Sequence, residues 1–238
     1  MGNNYFKFKQ FTISQTSDVF RVGTDGVLLG AWVRTDGVRS LLDIGTGTGL
    51  IALMLSYRVP EAMIFALEPD ENSFNCARAN IERAGKDEVI TLHKTALNDF
   101  LPPAQTLFDL IISNPPFFAE SLENPDPQKA RFRHNFALPS SEILNFAVKY
   151  LTANGRLVLV LPYAEGNVFV AEAASSGLYC TRMTKVRSLY ESGPNRLLLE
   201  FSRHRKPVSV KILTIGHPDH GGYTAEYKEI TRDFYLNF

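Results

Sequence analysis

Two segments of the 238-residue chain carry residue types at spacings suited to chemistry. The first is Asp43-Ile44-Gly45-Thr46-Gly47-Thr48-Gly49. Glycines at alternate positions let the backbone turn sharply and let a ligand approach it closely. A dinucleotide loop reads GxGxxG. GxGxG led by a carboxylate suits a nucleoside without a pyrophosphate, and nothing nearby cradles phosphate. Glu68, 25 residues after Asp43, ends the apolar run Met63–Leu67. A carboxylate there accepts hydrogen bonds from both hydroxyls of a ribose. Asp43 would face the ligand's amino-acid end, where a carboxylate pairs with an ammonium. A glycine-rich stretch alone also makes a plain turn; its combination with Glu68 favours nucleoside binding.

The second segment is Phe108-Asp109-Leu110-Ile111-Ile112-Ser113-Asn114-Pro115-Pro116-Phe117. Its apolar run reads as a strand, so Asn114 falls at the carboxyl end, the edge where open α/β sheets bind ligands. Two prolines fix the backbone and remove competing N–H donors. An amine conjugated to a ring is a poor nucleophile because its lone pair is delocalised. If the Asn114 side-chain oxygen and the Pro115 carbonyl each accept one N–H, the nitrogen is held for attack and its developing positive charge is stabilised. Phe117 offers an apolar face for a planar base. A rigid loop after a strand would also carry Pro-Pro; the glycine loop upstream is what tips the reading toward chemistry.

Elements that position these residues follow from hydrophobic periodicity. Leu41–Ile44, Met63–Leu67, Val89–His93, Phe108–Ser113 and Leu157–Leu161 are short runs dense in Ile, Leu and Val, bounded by Gly, Asp, Asn or Pro. They read as buried parallel strands. Leu50–Tyr57, Asp70–Ala84 and Ser140–Leu151 have helical spacing, with Pro69-Asp70 as the start of the second and Asn154-Gly155 as the stop of the third. After Pro162 come a helical stretch, Tyr163–Ser175, and two β-rich runs, Cys180–Ser188 and Arg196–Arg203, joined by a turn and therefore antiparallel. Thr224–Leu236 reads as an amphipathic helix with Tyr227, Ile230, Phe234 and Tyr235 near one face. The first 34 residues read as strands and a short helix lying over the sheet. Phe6, Phe8 and Phe11 alternate there as strand core rather than as a base-stacking platform.

The order DIGTGTG, Glu68, NPPF resembles the class I S-adenosylmethionine-dependent methyltransferases that modify planar amino groups. That resemblance implies an α/β, Rossmann-like fold: a seven-stranded, mostly parallel sheet with a terminal antiparallel strand and an N-terminal extension packed on it. Phe20–Trp32 (FRVGTDGVLLGAW), Lys129–His134 (KARFRH), Tyr223–Tyr227 (YTAEY) and Phe234–Leu236 (FYL) narrow the likeness. They are similar to the bacterial tRNA1(Val) (adenine-N6)-methyltransferases, which act on the adenosine 3′ of the anticodon. The resemblance implies S-adenosyl-L-methionine as cofactor, tRNA as partner and N6-methyladenosine as product. By position, Asp43, Gly45, Gly47 and Gly49 would hold the methionine part, Glu68 the ribose, and Asn114, Pro115, Pro116 and Phe117 the target adenine. Ala96 stands where such enzymes often carry an acid toward the cofactor's adenine, and Asp99 or backbone groups would substitute. One domain is expected, with residues 1–34 as extension, 35–206 as catalytic core and 207–238 as a strand and helix tail.

Other residues are read more broadly. Asp25, in a Gly-flanked turn, would close over the cofactor or only cap a helix. Arg131, Arg133 and His134 would meet RNA phosphates or stay solvated; methyl transfer to an amine does not need His134 as a base. Arg203-His204-Arg205-Lys206, the densest basic run, would be a solvated strand end or would join Lys185 and Arg187 in a backbone-tracking patch. The chain has 25 basic and 25 acidic residues, yet its net charge is +2 over residues 1–40, −8 over 41–128 and +6 over 129–238. Neutrality then reads as two opposed faces, with modest and strongly salt-sensitive RNA binding.

Two cysteines, Cys76 and Cys180, indicate neither a disulfide framework nor a zinc site, so a reducing cytoplasm is the expected setting, with no metal. No apolar run approaches the roughly 18 residues of a membrane span, and nothing requires an obligate protein partner. Three alternatives stay open: a guanine-N2 methyltransferase of ribosomal RNA, a glutamine-N5 methyltransferase of protein, and a non-catalytic RNA- or nucleoside-binding module. GxGxG disfavours a nicotinamide dehydrogenase.

Overall fold

The computed structural model describes residues 4–15, 19, 21–115, 138–217 and 221–238. Strands β1 (Tyr5–Lys7) and β2 (Thr12–Ser14) pair as an antiparallel ribbon, followed by α1 (Thr24–Trp32). Strands and helices then alternate: β3 (Ser40–Ile44), α2 (Leu50–Arg58), β4 (Met63–Leu67), α3 (Glu71–Arg83), β5 (Ile90–His93) and β6 (Phe108–Ser113). Beyond the undescribed stretch lie α4 (Ser140–Tyr150), β7 (Leu151–Pro162), α5 (Tyr163–Ser175), β8 (Tyr179–Arg187), β9 (Arg196–Ser202), β10 (Ser209–Thr214) and α6 (Ala225–Thr231).

The main sheet has the order β10-β8-β9-β7-β6-β3-β4-β5. Only β9 runs antiparallel to its neighbours. The connection from β7 through α5 to β8 leaves one strand position vacant, and the turn after β8 returns β9 into it. A strand entering by a tight turn must run backwards. The expected α/β architecture is therefore present, with β9 inside the sheet and β10 added as an eighth strand at the edge.

Alternate residues along the strands feed two cores, as period-two patterning requires. Leu41, Ile64, Leu110, Ile112 and Val158 pack toward α1, α2, the ribbon and the C-terminal segment; Leu42, Phe65, Ile111, Leu157 and Leu159 pack toward α4 and α5. Phe8, Phe11 and Ile13 of the extension belong to the first core. Lys9 N–H donates to Phe234 O at 2.8 Å, so both chain ends lie on that face. A buried charge cluster anchors α1. Glu200, 2% exposed, is paired with Arg34 and Arg182, and the Arg182 guanidinium lies 3.4 Å from the Trp32 ring centre.

Two expected boundaries move. α4 stops at Tyr150, and Asn154-Gly155 lies within β7, not at a helix end. There β7 bulges: Phe108 pairs with Leu151, while Leu110 pairs with Arg156. Gly155 is required because a Cβ would sit 2.7 Å from Phe108 O. The C-terminal helix is also shorter than expected. Thr224 caps it by accepting from Tyr227 N–H, and it ends at Thr231 with Phe234 buried beyond it. Gly155→Ala should destabilise the protein by about 1–3 kcal/mol, because backbone rather than a mobile side chain must yield. Gly193→Ala, with nothing within 4 Å of its Cβ, should leave the denaturant midpoint unchanged or slightly raised. Urea unfolding of both variants checks this.

Candidate cofactor and acceptor site

The carboxyl ends of β3, β4 and β6 open onto one cavity of about 690 Å³, the edge at which open α/β sheets bind ligands. The chain leaves β3 through Gly45, Gly47 and Gly49, all at positive φ (70°, 60° and 82°). No atom lies within 4 Å of a Cβ built on Gly45 or Gly47, so the requirement there is conformational. Gly45 and Gly47 line the cavity with Thr46 and Thr48. Gly49 does not; it starts α2 and packs on Ala77 of α3.

Asp43 lies beneath this loop, fully buried and off the cavity wall. Its Oδ2 accepts from Thr46 Oγ1 at 2.6 Å and from Ala52 N–H at 3.1 Å, while Oδ1 is buried with no hydrogen-bond partner. Burial pushes its pKa up to about 6. The expected direct contact with a ligand ammonium is thus replaced by bracing of the loop.

Glu68 is on the wall, 5% exposed. Oε2 accepts from Gly47 N–H at 2.8 Å and Oε1 from Asp70 N–H at 2.9 Å. Each carboxylate oxygen has two lone pairs, so each keeps one for a hydroxyl. Burial pushes the Glu68 pKa up to about 7 against these two bonds. Asp70 in turn caps α3 by accepting from Ser73 N–H at 2.8 Å. Beyond β5, Thr95, Ala96, Leu97 and Asn98 close the cavity. Asp99 is exposed and outside it, because the 3₁₀ turn Leu97–Asp99 points Asn98, not Asp99, to the wall.

Asn114 and Pro115 enter the same cavity from the end of β6. α1 reaches them because residue 26 is glycine: a Cβ there would lie 3.1 Å from Leu50 and 3.7 Å from Asn114 Nδ2. Asp25, in the first turn of α1, also lines the cavity and is ion-paired with Arg196 (Nε to Oδ2, 2.8 Å). It is no cap, since Gly23 holds that position. Arg21, Glu142 and Arg196 line the cavity too, and sequence reasoning missed them. The signal for Arg196 was topological: a backward strand brings its first residue to the carboxyl edge. Pro116, Phe117, Arg131, Arg133 and His134 lie outside the described residues.

The same reversal removes the expected basic patch. Ser202 pairs with Arg156, at the amino end of the parallel part of β7, so Arg203, Arg205 and Lys206 lie at the edge opposite the cavity. Arg203 is committed to Val148 O (2.5 Å) and Leu151 O (3.2 Å), and Arg205 lies 5.8 Å from the Tyr179 ring. Lys185 and Arg187 sit toward the other end of the hairpin, about 20 Å away at strand rise. Arg187 there donates to Thr214 Oγ1 and Tyr190 O, each at 2.8 Å. Among the described residues no helix is long and apolar enough to cross a membrane, and no group of three His, Cys, Asp or Glu residues could hold a metal ion.

A glycine loop over a braced acid, a second acid after the next strand and Asn-Pro after the fourth, on this sheet order, define a methyltransferase site. The family model for the methyltransferase small domain matches residues 18–168. A tRNA1(Val) (adenine(37)-N6)-methyltransferase of Trichodesmium erythraeum is 38% identical over 240 residues, covering all of both chains. One from Flavobacterium psychrophilum is 39% identical over 97% of this chain and 99% of its own. The chain belongs to the tRNA1(Val) (adenine(37)-N6)-methyltransferase family. Among solved structures, a predicted O-methyltransferase from Agrobacterium tumefaciens shares the fold (TM-score 0.63, 15% identity, 88% of this chain and 96% of that one). A methyltransferase from Pyrococcus furiosus has a TM-score of 0.53 at 25% identity, over 75% and 81%. The cofactor of this class is S-adenosylmethionine. Glu68 and the open, positive-φ loop fit its ribose and its amino-acid chain.

With no cofactor bound, Glu68 costs the fold stability. Its folded pKa is raised from 4.5 to about 7, so its stabilising contribution is full below about pH 4.5 and is lost as pH rises through 7. Glu68→Gln leaves one acceptor oxygen for the Gly47 and Asp70 N–H groups and so carries its own fixed cost, but the stability of wild type relative to this variant should fall by up to about 3 kcal/mol as pH rises from 5 to 8. Denaturant unfolding of both proteins across that range, without cofactor, checks the sign.

Proposed function

We propose that the protein transfers the methyl group of S-adenosylmethionine to N6 of an adenosine in tRNA, at position 37 of a valine tRNA. The observation that carries this reading is the meeting of Asn114 and Pro115 with Glu68 and the glycine loop on one cavity wall. Full-length relatives that bear this activity in their names support the target. The whole chain would act as one methyltransferase unit: extension 1–34, core 35–206 and tail 207–238. Its setting would be the cytoplasm, where tRNA is.

In this reading Glu68 would accept hydrogen bonds from the two ribose hydroxyls, and the backbone at Gly45 to Thr48 would hold the amino-acid chain. Bound cofactor supplies a methyl group on a cationic sulfonium. Asn114 Oδ1 and Pro115 O each accept one N–H of the adenine amine, which turns its lone pair toward that methyl and stabilises positive charge as it develops. Neither oxygen is a base, so the amine's proton leaves to water after transfer. Pro116 and Phe117 would complete the adenine slot, and Arg131, Arg133 and His134 would meet neighbouring phosphates. The anticodon loop is single-stranded, so placing one base in the slot costs little unstacking.

Purified protein, labelled S-adenosylmethionine and unmodified total tRNA should yield N6-methyladenosine confined to a valine tRNA. Label appearing only in ribosomal RNA or in protein would refute the proposal. Asn114→Ala should lower turnover about 10²–10³-fold while cofactor affinity, read by calorimetry, stays within about threefold. An equal loss of both would show that Asn114 serves the cofactor instead.

A further inference from the structure

Arg196 opens β9 and is the Cα partner of Pro162, the last residue of β7. Along the carboxyl edge, Glu68 follows β4, two strand positions from β6 on one side, and Arg196 stands two positions from β6 on the other. Asn114, directly after β6, is therefore flanked by the ribose acid at about 10 Å and by the Arg196 backbone at about 12 Å, Arg196 standing two residues further out along the strand direction. An adenine whose amine sits at Asn114, entering from the side away from β4, extends its sugar and phosphate over that second interval.

The guanidinium is held in a defined plane. Nε donates to Asp25 Oδ2 at 2.8 Å and Nη1 to Asn195 O at 2.9 Å. Asp25 is itself fixed, because α1 is pinned at its far end by Arg182 stacked on Trp32 and lies close to Asn114 through Gly26. The side chains of Arg196 and Asp25 remain 34% and 29% exposed, so the pair faces the mouth of the cavity. The other charged groups on this wall are Arg21, Glu68 and Glu142. The planar guanidinium fork suits phosphate recognition, and Asp25 fixes the plane in which this one lies.

We infer that Arg196, positioned by Asp25, binds the phosphodiester of the target nucleotide and so selects a polynucleotide acceptor; the inference rests on the tRNA reading above. The alternative is a purely structural tie between α1 and β9. Gln and Lys at position 196 both lose the arginine fork, but only Lys keeps the charge. Wild type, Arg196→Gln, Arg196→Lys and Asp25→Asn are compared by steady-state methylation of unmodified tRNA and by tRNA binding over a range of salt, with cofactor affinity measured in parallel. Arg196→Gln should raise the KM for tRNA about tenfold or more and lower the salt slope of binding by about one, with cofactor affinity within about twofold. Arg196→Lys should restore the slope and part of the KM. Asp25→Asn should keep the slope while raising KM, since the cation is present but unaligned. Identical slopes for Gln, Lys and wild type, or a loss of cofactor affinity as large as that of tRNA, would overturn the inference. A wild-type protein that methylates no tRNA would instead overturn the reading beneath it.

Discussion

The site depends on one carboxylate bridging two strands' loops. Glu68 leaves the end of β4 and accepts the Gly47 N–H from the loop after β3, at 2.8 Å. That bond holds the glycine loop open across the sheet edge, and the Asp70 N–H on the other oxygen links the same group to the cap of α3. Asp43 braces the loop from below through Thr46 and Ala52. Two carboxylates, both with pKa pushed up by burial, thus lie at the same edge. A fold selected for stability alone would not keep them there. In the proposed reading, a cationic ligand with two adjacent hydroxyls would offset the cost at Glu68, which lines the cavity.

On the acceptor side, chemistry asks for positioning rather than for a strong base. Asn114 and Pro115 provide neutral acceptors on a backbone stiffened by proline. The antiparallel insertion of β9 places Arg196 beyond them, and α1 brings Asp25 against it. The buried Glu200 cluster matters for the same reason. Its carboxylate, which burial pushes up, is nonetheless held below its usual range by Arg34 and Arg182, and the resulting ion pairs fasten α1 to β8 and β9. The cofactor half and the acceptor half of the cavity are therefore built on one sheet edge with different supports.

Much of this was legible in the sequence, because the parallel strands are buried on both faces and read as short apolar runs. The glycine loop, Glu68 and Asn114 were found because each falls where a strand ends. Misreadings came from features that only three-dimensional neighbours decide. Asn154-Gly155 looks like a helix stop, yet the glycine is needed where β7 bulges against Phe108 O. Arg203-His204-Arg205-Lys206 looks like a binding patch until the direction of β9 sends it to the far edge. Asp99 draws attention by its charge, but the 3₁₀ turn leaves it off the wall and puts Asn98 there. Arg196 and Asp25 are 171 residues apart, and no local pattern joins them.

The central claim is that Glu68, mostly protonated at pH 6 when no cofactor is bound because burial pushes its pKa up to about 7, becomes the ionised acceptor of the cofactor's ribose. Calorimetric titration of S-adenosylmethionine at pH 6, repeated in buffers of different ionisation enthalpy, reads the protons exchanged on binding. The account predicts release of close to one proton by the wild-type protein, with most of that release missing in Glu68→Gln. No exchange, net uptake, or the same release from both proteins would contradict it.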